Sequence, residues 1–399
     1  MVTPMTDQPT TRVPLYVAIV ASGMIWSTIG PVLDTVMRDL DIPLARGGLP
    51  AVTFFLGCIV GLLILNLLLS NIPAKRTLVV AAVVQGVALA SVGLLSRGLR
   101  SFVVAYFFTG LPCMIVAGIP GMWVSVHVRE KTAWAMNLLV LASASAMTIT
   151  PLVVGTLLGA GASWRWIYVG EAVLVLAVAA VLTALPLSDI PGRENLRLRQ
   201  FAAVVTYRPL LLSAIAFSAF VYLGAESTLM VWLPKFGVDV FGASTAWAGT
   251  MVTLYWVGQI AGRMATIPAT RRMLASTLQL AGALAMAVLS AALAMSPSLA
   301  VCSILAFATG LGAAGTFSHV ASYASMFPQW HAGVVFNVYQ VVGGLGGMVF
   351  PYIVGPVAAA WGFRAAISVA AVGALVVAGM AVVLRNVSGE TRVRAEEVA

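Results

Sequence analysis

The sequence is poor in charged residues. Only 9% of its 399 residues are Asp, Glu, Lys or Arg, whereas soluble domains carry about 25%. Hydrophobic residues make up 61% of the chain, which excludes an ordinary soluble domain and predicts a polytopic membrane protein. The formal net charge is +9, but the basic residues are scattered over short segments and form no patch that would suit nucleic acid.

Residues that carry enzyme chemistry are scarce as well. The three cysteines, Cys58, Cys113 and Cys302, lie inside apolar runs without disulfide or metal-ligand spacing. The sequence contains no phosphate-binding loop of the G-x-x-x-x-G-K-[ST] type, no Ser-His-Asp arrangement and no cluster of metal ligands. We therefore expect no enzymatic activity, no metal and no cofactor.

Long apolar runs fill most of the chain. A helix that crosses a bilayer needs about 20 apolar residues, and these runs are too long and too uniformly apolar for barrel strands. Twelve runs qualify as predicted spans: 14–36, 46–70, 77–96, 101–125, 133–159, 165–187, 209–234, 245–265, 273–295, 298–326, 333–359 and 364–385. We therefore expect an all-α polytopic membrane protein with twelve transmembrane helices.

The distribution of Lys and Arg predicts the orientation of these spans. With both termini in the cytoplasm, 15 basic residues fall on the inner side and 7 on the outer side, as the positive-inside rule requires. This bias also explains the basic net charge. We expect a multi-pass protein of the cytoplasmic (inner) membrane, and we interpret the first apolar run as an uncleaved span because it is long for a signal peptide.

The two halves of the chain resemble each other at an offset of 200 residues. The matches least expected by chance pair Ser27-Thr28 with Ser227-Thr228, Asp39 with Asp239, Val52-Thr53 with Val252-Thr253, Asn137 with Asn337, and Pro151 with Pro351. A polar segment follows the sixth span and separates the halves. The predicted domains are a six-helix bundle over 1–187, a cytoplasmic linker over 188–207, a second six-helix bundle over 208–386 and a cytoplasmic tail over 387–399.

Two parallel six-helix repeats are typical of one large transporter architecture, and here the sequence resembles the major facilitator superfamily over nearly its whole length. Three local patterns support the resemblance: W-R-W at 164–166 after span five, Thr109-Gly110 with Gly118 in span four, and Arg271-Arg272 after Gly262-Arg263 beyond span eight. The resemblance implies two pseudo-symmetric bundles that alternate access to a central cavity. It also implies a cytoplasmic gate, here Lys75, Arg76, Arg263, Arg271 and Arg272.

The sequence also departs from the superfamily pattern. The loop after span two reads N-L-L-L-S-N-I-P-A-K over 66–75 and lacks the usual acidic residue, and Tyr106 stands where many proton-driven members carry an Arg in helix four. These departures argue against the usual drug/proton antiport mechanism. In span seven, G-A-E-x-x-x-x-x-W-L-P over 224–234 resembles the seventh helix of the fucose-permease-like sugar transporters.

Two acidic residues, Glu171 and Glu226, lie well within the predicted spans. A charge at the bilayer centre costs at least ~2.5–3.5 kcal/mol, so such residues usually face a bundle interior or an aqueous cavity. We expect Glu226, in the cavity-lining helix seven, to couple proton movement to transport or to contact the substrate. The alternative is a protonated, purely structural glutamate. Glu171 lies on a supporting helix, and we interpret it as an interfacial carboxylate near Arg97, Arg100 or Arg165.

Aromatic and polar residues on several spans are candidates for substrate binding, because small-molecule sites combine apolar walls with a few polar groups. With Glu226, the predicted set is Trp26, Ser27, Thr28, Met114, Tyr255, Trp256, Gln259, His319, Tyr323, Tyr339 and Gln340. His319 and Tyr323 are predicted to share a helix face, since four residues make about one turn. A neutral histidine bonded to a neighbour is the alternative for His319.

Together these features predict a secondary transporter that moves a small organic solute by alternating access and is coupled to protons. The expected partners are the solute, protons and the lipid bilayer, with no nucleic acid, and the expected state is a monomer. An alternative within transport is efflux of amphipathic compounds. A non-transporting membrane sensor is an alternative of a different class, although its usual long cytoplasmic extension is missing from the 14 residues after Arg385.

Overall fold

The computed structural model describes residues 13–128, 132–190, 198–270 and 272–389. Within these ranges the chain is helical and contains no β-strand. The α-helices are α1 (Val13–Asp39), α2 (Leu49–Asn71), α3 (Ala74–Leu95), α4 (Leu99–His127), α5 (Thr132–Gly159), α6 (Trp164–Ala184), α7 (Leu198–Tyr207), α8 (Pro209–Phe241), α9 (Thr245–Ala269), α10 (Ala275–Ala294), α11 (Leu299–Ala313), α12 (Thr316–Ser322) and α13 (Gln329–Ser388). Short 3-10 helices cover Leu44–Arg46 and Tyr323–Met326.

The longest helix, α13, contains two spans. Gly362 interrupts it with φ 81° and ψ 165°, a conformation open in practice only to glycine. We call the two parts α13a (329–361) and α13b (363–388). Length and hydropathy alone select ten spanning helices, because α13 then counts once and α9 falls outside the selection. These ten already count α11 and α12 together as one span. Dividing α13 at Gly362 and including α9 gives twelve, so the predicted twelve spans are confirmed in the part of the chain described.

Span ten differs from the prediction of a continuous helix over 298–326. Helix α11 ends at Ala313, and Gly315 has φ 85° before the short helix α12 begins. A side chain is disfavoured at this positive φ, so the glycine permits the break. As a result, His319 and Tyr323 both lie after the break: His319 is in α12, Tyr323 begins the 3-10 helix that follows it, and both are buried.

The internal repeat is visible in matched contacts as well as in sequence. In the first half, the Ser22 hydroxyl lies 3.4 Å from the main-chain oxygen of Cys113. In the second half, the Tyr222 hydroxyl lies 3.3 Å from the main-chain oxygen of Ala313. Both pairs join the first helix of a half to its fourth span at an offset of 200 residues, so the repeat reflects equivalent packing.

Glycines set the close approach of neighbouring helices in both halves. A Cβ on Gly110 would lie 2.0 Å from the main-chain oxygen of Phe54, and a Cβ on Gly310 would lie 1.9 Å from that of Tyr255. The two glycines are 200 residues apart, but their partners Phe54 and Tyr255 are 201 residues apart. The second spans of the two halves therefore align at an offset of 201, one residue more than the fourth spans. The sequence match of Val52-Thr53 with Val252-Thr253 is therefore one residue out of structural register.

An arginine closes the same helix end in each half. Arg165 Nη1 donates to the main-chain oxygen of Ser96 at 2.7 Å, and Arg364 Nη1 donates to that of Ser296 at 2.9 Å. The last carbonyls of a helix lack internal partners, and a guanidinium satisfies them with charge-assisted hydrogen bonds. The W-R dipeptide at 164–165 and the F-R dipeptide at 363–364 thus supply equivalent arginines to the two halves.

The halves pack closely near one end of the bundle, which we call the outer end because it lies opposite the predicted cytoplasmic linker. A Cβ on Gly249 of α9 would lie 2.2 Å from the main-chain oxygen of Pro151 in α5. A Cβ on Gly48, next to α2, would lie 2.4 Å from that of Pro351 in α13a. The two contacts are related by the repeat, and together they close the outer end between the halves.

Candidate functional site

Glu226 lies on the buried side of α8, within the second half of the protein. Its neighbours Tyr222, Ala225 and Leu229 are almost fully buried, whereas Glu226 keeps 9% of its surface exposed. Its carboxylate oxygen Oε1 accepts hydrogen bonds from the Tyr222 hydroxyl at 2.9 Å and from Gln259 Nε2 of α9. The side chain therefore points into the bundle and away from lipid.

The Tyr222 hydroxyl stands between two acceptors. It lies 2.9 Å from Glu226 Oε1 and 3.3 Å from the main-chain oxygen of Ala313, but it has a single proton to donate. If Glu226 is ionised, Tyr222 can donate to the carboxylate. If Glu226 is protonated, it can donate to the Tyr222 oxygen, and Tyr222 can donate to Ala313. The same geometry thus accommodates both protonation states.

Gln259 and Arg263 of α9 connect the Glu226 carboxylate to a guanidinium. Gln259 Nε2 also lies 3.2 Å from the Tyr255 hydroxyl, and Gln259 Oε1 accepts from Arg263 Nη2 at 3.3 Å. Gln259 therefore separates the Arg263 guanidinium from the Glu226 carboxylate. We call Tyr222, Glu226, Tyr255, Gln259 and Arg263 the Glu226 network.

A second polar cluster joins the two halves at the outer end. Lys235 Nζ of α8 lies 2.9 Å from Asp34 Oδ1 of α1 and 3.1 Å from Asp239 Oδ2. Arg38 also pairs with Asp34. The side chains of Lys235 and Asp34 are 10% and 7% exposed, so this ion pair between the halves is buried. We call Asp34, Arg38, Lys235 and Asp239 the outer ion-pair cluster.

The comparisons with known proteins identify the family. The sequence model described as Major Facilitator Superfamily matches residues 15–325. The chain belongs to the major facilitator superfamily. It is therefore a multi-pass membrane protein.

Among curated relatives of this facilitator, "Protein TsgA homolog" of Yersinia pestis (strain Pestoides F) and of Yersinia pseudotuberculosis serotype O:3 (strain YPIII) are each 23% identical to it over 252 residues. The match covers 62% of this chain and 62% of the length of these relatives.

Solved structures share the facilitator fold. A bacterial homolog of the human lysosomal transporter Spinster, inward-facing and unoccupied, has a TM-score of 0.78 at 14% identity, covering 96% of this chain and 98% of that one. A D-xylose-proton symporter has a TM-score of 0.73 at 15% identity, with coverages of 93% and 96%. The nucleoside transporter NupG has a TM-score of 0.72 at 15% identity, with coverages of 94% and 98%. At these identities the likeness concerns the fold.

Of the predicted substrate-binding residues of this facilitator, Glu226, Tyr255 and Gln259 come together in the Glu226 network. The Trp256 ring lies beside the Tyr255 ring, with centroids 5.8 Å apart. Trp26 of the first half packs against Phe54, with ring centroids 5.3 Å apart. Trp26 and Trp256 are thus candidates from opposite halves.

The other predicted binding residues are spread over the facilitator. Tyr339 donates to the main-chain oxygen of Phe317 at 3.2 Å and, like Tyr323, belongs to the core of the second half. His319 is buried in α12, and Gln340 is half-buried. Met114 packs against a core of the first half and against a core that both halves share. Ser27 hydrogen-bonds to the main chain of its own helix, and Thr28 donates to the Glu171 carboxylate.

The predicted gate residues separate into different environments. Lys75 Nζ donates to the main-chain oxygen of Thr183 at 2.8 Å, at the end of α6 in the same half. Arg263 joins the Glu226 network, whereas Arg76 and Arg272 are exposed. Arg271 lies outside the described residues.

The interpretation of Glu171 as an interfacial carboxylate is wrong. Glu171 is only 5% exposed and accepts a hydrogen bond from Thr28 of α1. Arg165, one of its expected partners, pairs with Asp39 at 3.0 Å. Glu171 lies less than two helical turns after the W-R-W segment, which suggested a position near the membrane surface. Its position in the sequence does not show which side of α6 faces α1.

Sequence reasoning also missed the outer ion-pair cluster, because neither Asp34 nor Lys235 was among the candidate residues. A usable signal was present, because Asp34 and Lys235 carry opposite charges and lie one residue away from repeat-related positions. Opposite charges at nearly matched positions of two facing helices can pair across the axis that relates the halves.

Proposed function

We propose that this facilitator is a proton-coupled transporter of a small organic solute, with Glu226 as the group that binds and releases the proton. The observation that carries the proposal is the position of Tyr222 between Glu226 and the Ala313 carbonyl. This arrangement allows the carboxyl group to gain or lose a proton without leaving a hydroxyl unsatisfied. A purely structural glutamate has no need of both acceptors.

Coupling requires that the proton equilibrium of Glu226 depends on conformation. Burial disfavours an ionised carboxylate, and contact with water or a nearby cation favours it. In the proposed cycle, relative movement of α8 and α9 changes the distance between Glu226 and the Gln259–Arg263 pair. The carboxylate then releases its proton when Arg263 and water reach it, and binds one when the network closes.

The proposed substrate class is a neutral or weakly charged solute of sugar or nucleoside size. Trp26 and Trp256 offer aromatic surfaces, and the buried Trp256 Nε1 has no hydrogen-bond partner among the described residues. Aromatic faces with a few free donors suit solutes that carry hydroxyl groups. The D-xylose-proton symporter and the nucleoside transporter among the structural neighbours support this class.

The outer ion-pair cluster supports alternating access. Lys235 and Asp34 can remain in contact only while α1 and α8 are close at the outer end, so opening toward that side must separate a buried ion pair. We propose that the structure represents the conformation closed at the outer end, in an inner membrane with both termini in the cytoplasm. We also propose that the protein acts as a monomer.

The test begins with the solute. Thermal-shift screening of the purified protein against pentoses, hexoses, nucleosides and organic acids selects a ligand, because one present at 100 times its Kd stabilises the folded state by about 2.7 kcal/mol. Uptake of that radiolabelled ligand into proteoliposomes is then measured with and without an inward proton gradient. We expect the gradient to stimulate uptake by the native protein.

Glu226→Gln should abolish the stimulation by the proton gradient while exchange of solute at equal pH persists. Asp41→Asn is the matched control, because it removes an exposed acid at a position with φ 48°, which asparagine tolerates. Undiminished gradient-driven uptake by a folded Glu226→Gln protein would refute the coupling role. A loss of equal size in Asp41→Asn would show that the effect is not specific to Glu226.

A further inference from the structure

The first half of the protein contains its own buried carboxyl group. Glu171 of α6 is 5% exposed, and its Oε1 contacts the Thr28 hydroxyl of α1. The same hydroxyl lies 3.0 Å from the main-chain oxygen of Met24. Thr28 therefore has one proton and two acceptors, one a carboxyl group and the other a carbonyl.

This contact has the same chemical form as the one around Glu226. In the second half, Tyr222 stands between the Glu226 carboxyl and the Ala313 carbonyl. In the first half, Thr28 stands between the Glu171 carboxyl and a carbonyl of its own helix. Both arrangements satisfy a protonated carboxyl group, which donates to the hydroxyl while the hydroxyl donates to the carbonyl.

The surroundings of Glu171 favour a neutral carboxyl group. The side chains nearest to it or beside its partners are neutral: Thr28 on α1, Gln85 on α3, Tyr106 and Cys113 on α4, and Tyr168 on α6. No Lys, Arg or His forms an ion pair with Glu171 in the described part of the chain. Burying an isolated ionised carboxylate costs far more than burying a neutral acid.

The second oxygen of this carboxyl group is without a partner. Glu171 Oε2 is buried and has no hydrogen-bond partner among the described residues. Buried polar groups are normally satisfied by protein or by ordered water.

We propose that Glu171 is a second proton-binding site, located in the half of the protein opposite to Glu226. Helix α1 connects this site to the outer end, because Asp34 of the outer ion-pair cluster lies six residues after Thr28, about 9 Å along the helix. When the outer end opens, α1 moves and the Thr28–Glu171 contact changes. A role of Glu171 in coupling rests on the proton-driven transport proposed above. The proposal that Glu171 is protonated is independent of proton-driven transport.

The test of protonation is infrared spectroscopy of the purified full-length protein in lipid nanodiscs, titrated over pH. A protonated carboxyl group has a carbonyl stretch separate from that of a carboxylate. We expect such a band at neutral pH, its loss in Glu171→Gln, and its retention in Asp41→Asn. In Thr28→Val, which has nearly the same shape but no hydroxyl, the band should shift to higher frequency because its hydrogen bond is lost.

The outcomes separate this proposal from the previous one. If Glu171→Gln has the same carboxyl spectrum as the native protein, Glu171 is ionised and the proposal is refuted, whatever the transport assays show. If the band is present, the proton-to-solute ratio from reversal potentials should fall by one proton per solute in Glu171→Gln. An unchanged ratio would refute the coupling role and leave a structural proton. Failure of Glu226→Gln to affect uptake would refute the Glu226 proposal alone.

Discussion

Replacing Lys235 by Gln removes the cation that joins α1 to α8 at the outer end. Lys235 Nζ lies 2.9 Å from Asp34 Oδ1 in the other half and 3.1 Å from Asp239 Oδ2 in its own helix. Only the contact with Asp34 depends on the two halves being together. We therefore expect Lys235→Gln to destabilise the conformation closed at the outer end relative to the one that is open there.

The size of the effect follows from burial and from the remaining partners. At 2.9 Å and an effective dielectric constant of about 20, the Coulomb attraction is about 6 kcal/mol, most of which desolvation offsets. Removing one partner of a buried pair typically costs about 3–5 kcal/mol. Here Asp34 retains Arg38, and the side chain of Asp239 is 33% exposed, so both carboxylates keep some stabilisation. We expect about 2 kcal/mol, a shift of roughly 30-fold in the equilibrium.

Chemical labelling of an engineered cysteine measures this shift. Thr253 of α9 donates to the main-chain oxygen of Thr148 in α5 at 2.9 Å, so it lies between the halves and is partly buried. In Thr253→Cys, reaction with a membrane-impermeant maleimide reports opening at the outer end. The three native cysteines are buried, which keeps the background low. Adding Lys235→Gln should accelerate the reaction by roughly 30-fold, in proportion to the population that is open.

Arg38→Gln is the matched control, because Arg38 pairs with the same carboxylate but its side chain is 66% exposed. Exposed ion pairs contribute about 0–1 kcal/mol, so the labelling rate should change by less than about 5-fold. The reasoning is refuted if Lys235→Gln is folded but labels at the native rate, or if Arg38→Gln accelerates labelling as much. When Lys235→Gln is combined with Asp34→Asn, the effects of the two substitutions on the labelling rate should not add, because both remove the contact between Lys235 and Asp34.

Three further predictions concern the network and the helix packing. Tyr222→Phe should reduce gradient-driven uptake by about 10-fold or more, since a hydrogen bond to a charged group contributes about 1.5–3 kcal/mol, and uptake equal to that of the native protein would contradict the relay. Gly310→Ala places a Cβ 1.9 Å from a main-chain oxygen, so thermal unfolding should show a loss of about 1–3 kcal/mol, whereas Gly121→Ala, which meets open space, should not. Arg364→Gln should lower the melting temperature by leaving two buried helix-end carbonyls unsatisfied, at a cost of about 1–3 kcal/mol each, and an unchanged melting temperature would refute the capping role.

Much of the fold was accessible from the sequence because the bilayer imposes simple rules. Long apolar runs must be helices in lipid, so the twelve spans could be read from length and hydropathy. The break near Gly315 was missed, because G-A-A-G is compatible with either a helix or a turn, and packing against neighbouring helices selects between them. The one-residue shift of the second span in each half was also hidden, since small residues match by chance at either register.

The candidate site was predicted only in part. Glu226 stood out because a carboxylate in an apolar run is costly, and its partner Gln259 was among the polar residues of span eight. Tyr222 was not selected, since a tyrosine in a transmembrane helix is common and its importance depends on which atoms it meets across the helix interface. For the same reason, the sequence placed Glu171 at the membrane surface, whereas it contacts α1.

Length, hydropathy and charge in the chain were sufficient to predict a twelve-span membrane protein, because lipid acts on each segment separately and in the same way. The repeated halves were predicted from residue matches at an offset of 200. The pairing of Lys235 with Asp34, the contact of Tyr222 with Glu226 and the burial of Glu171 against Thr28 depended on the rotation and register of packed helices. Those quantities arise from many contacts between distant segments, and only the folded structure brings such segments within hydrogen-bond distance.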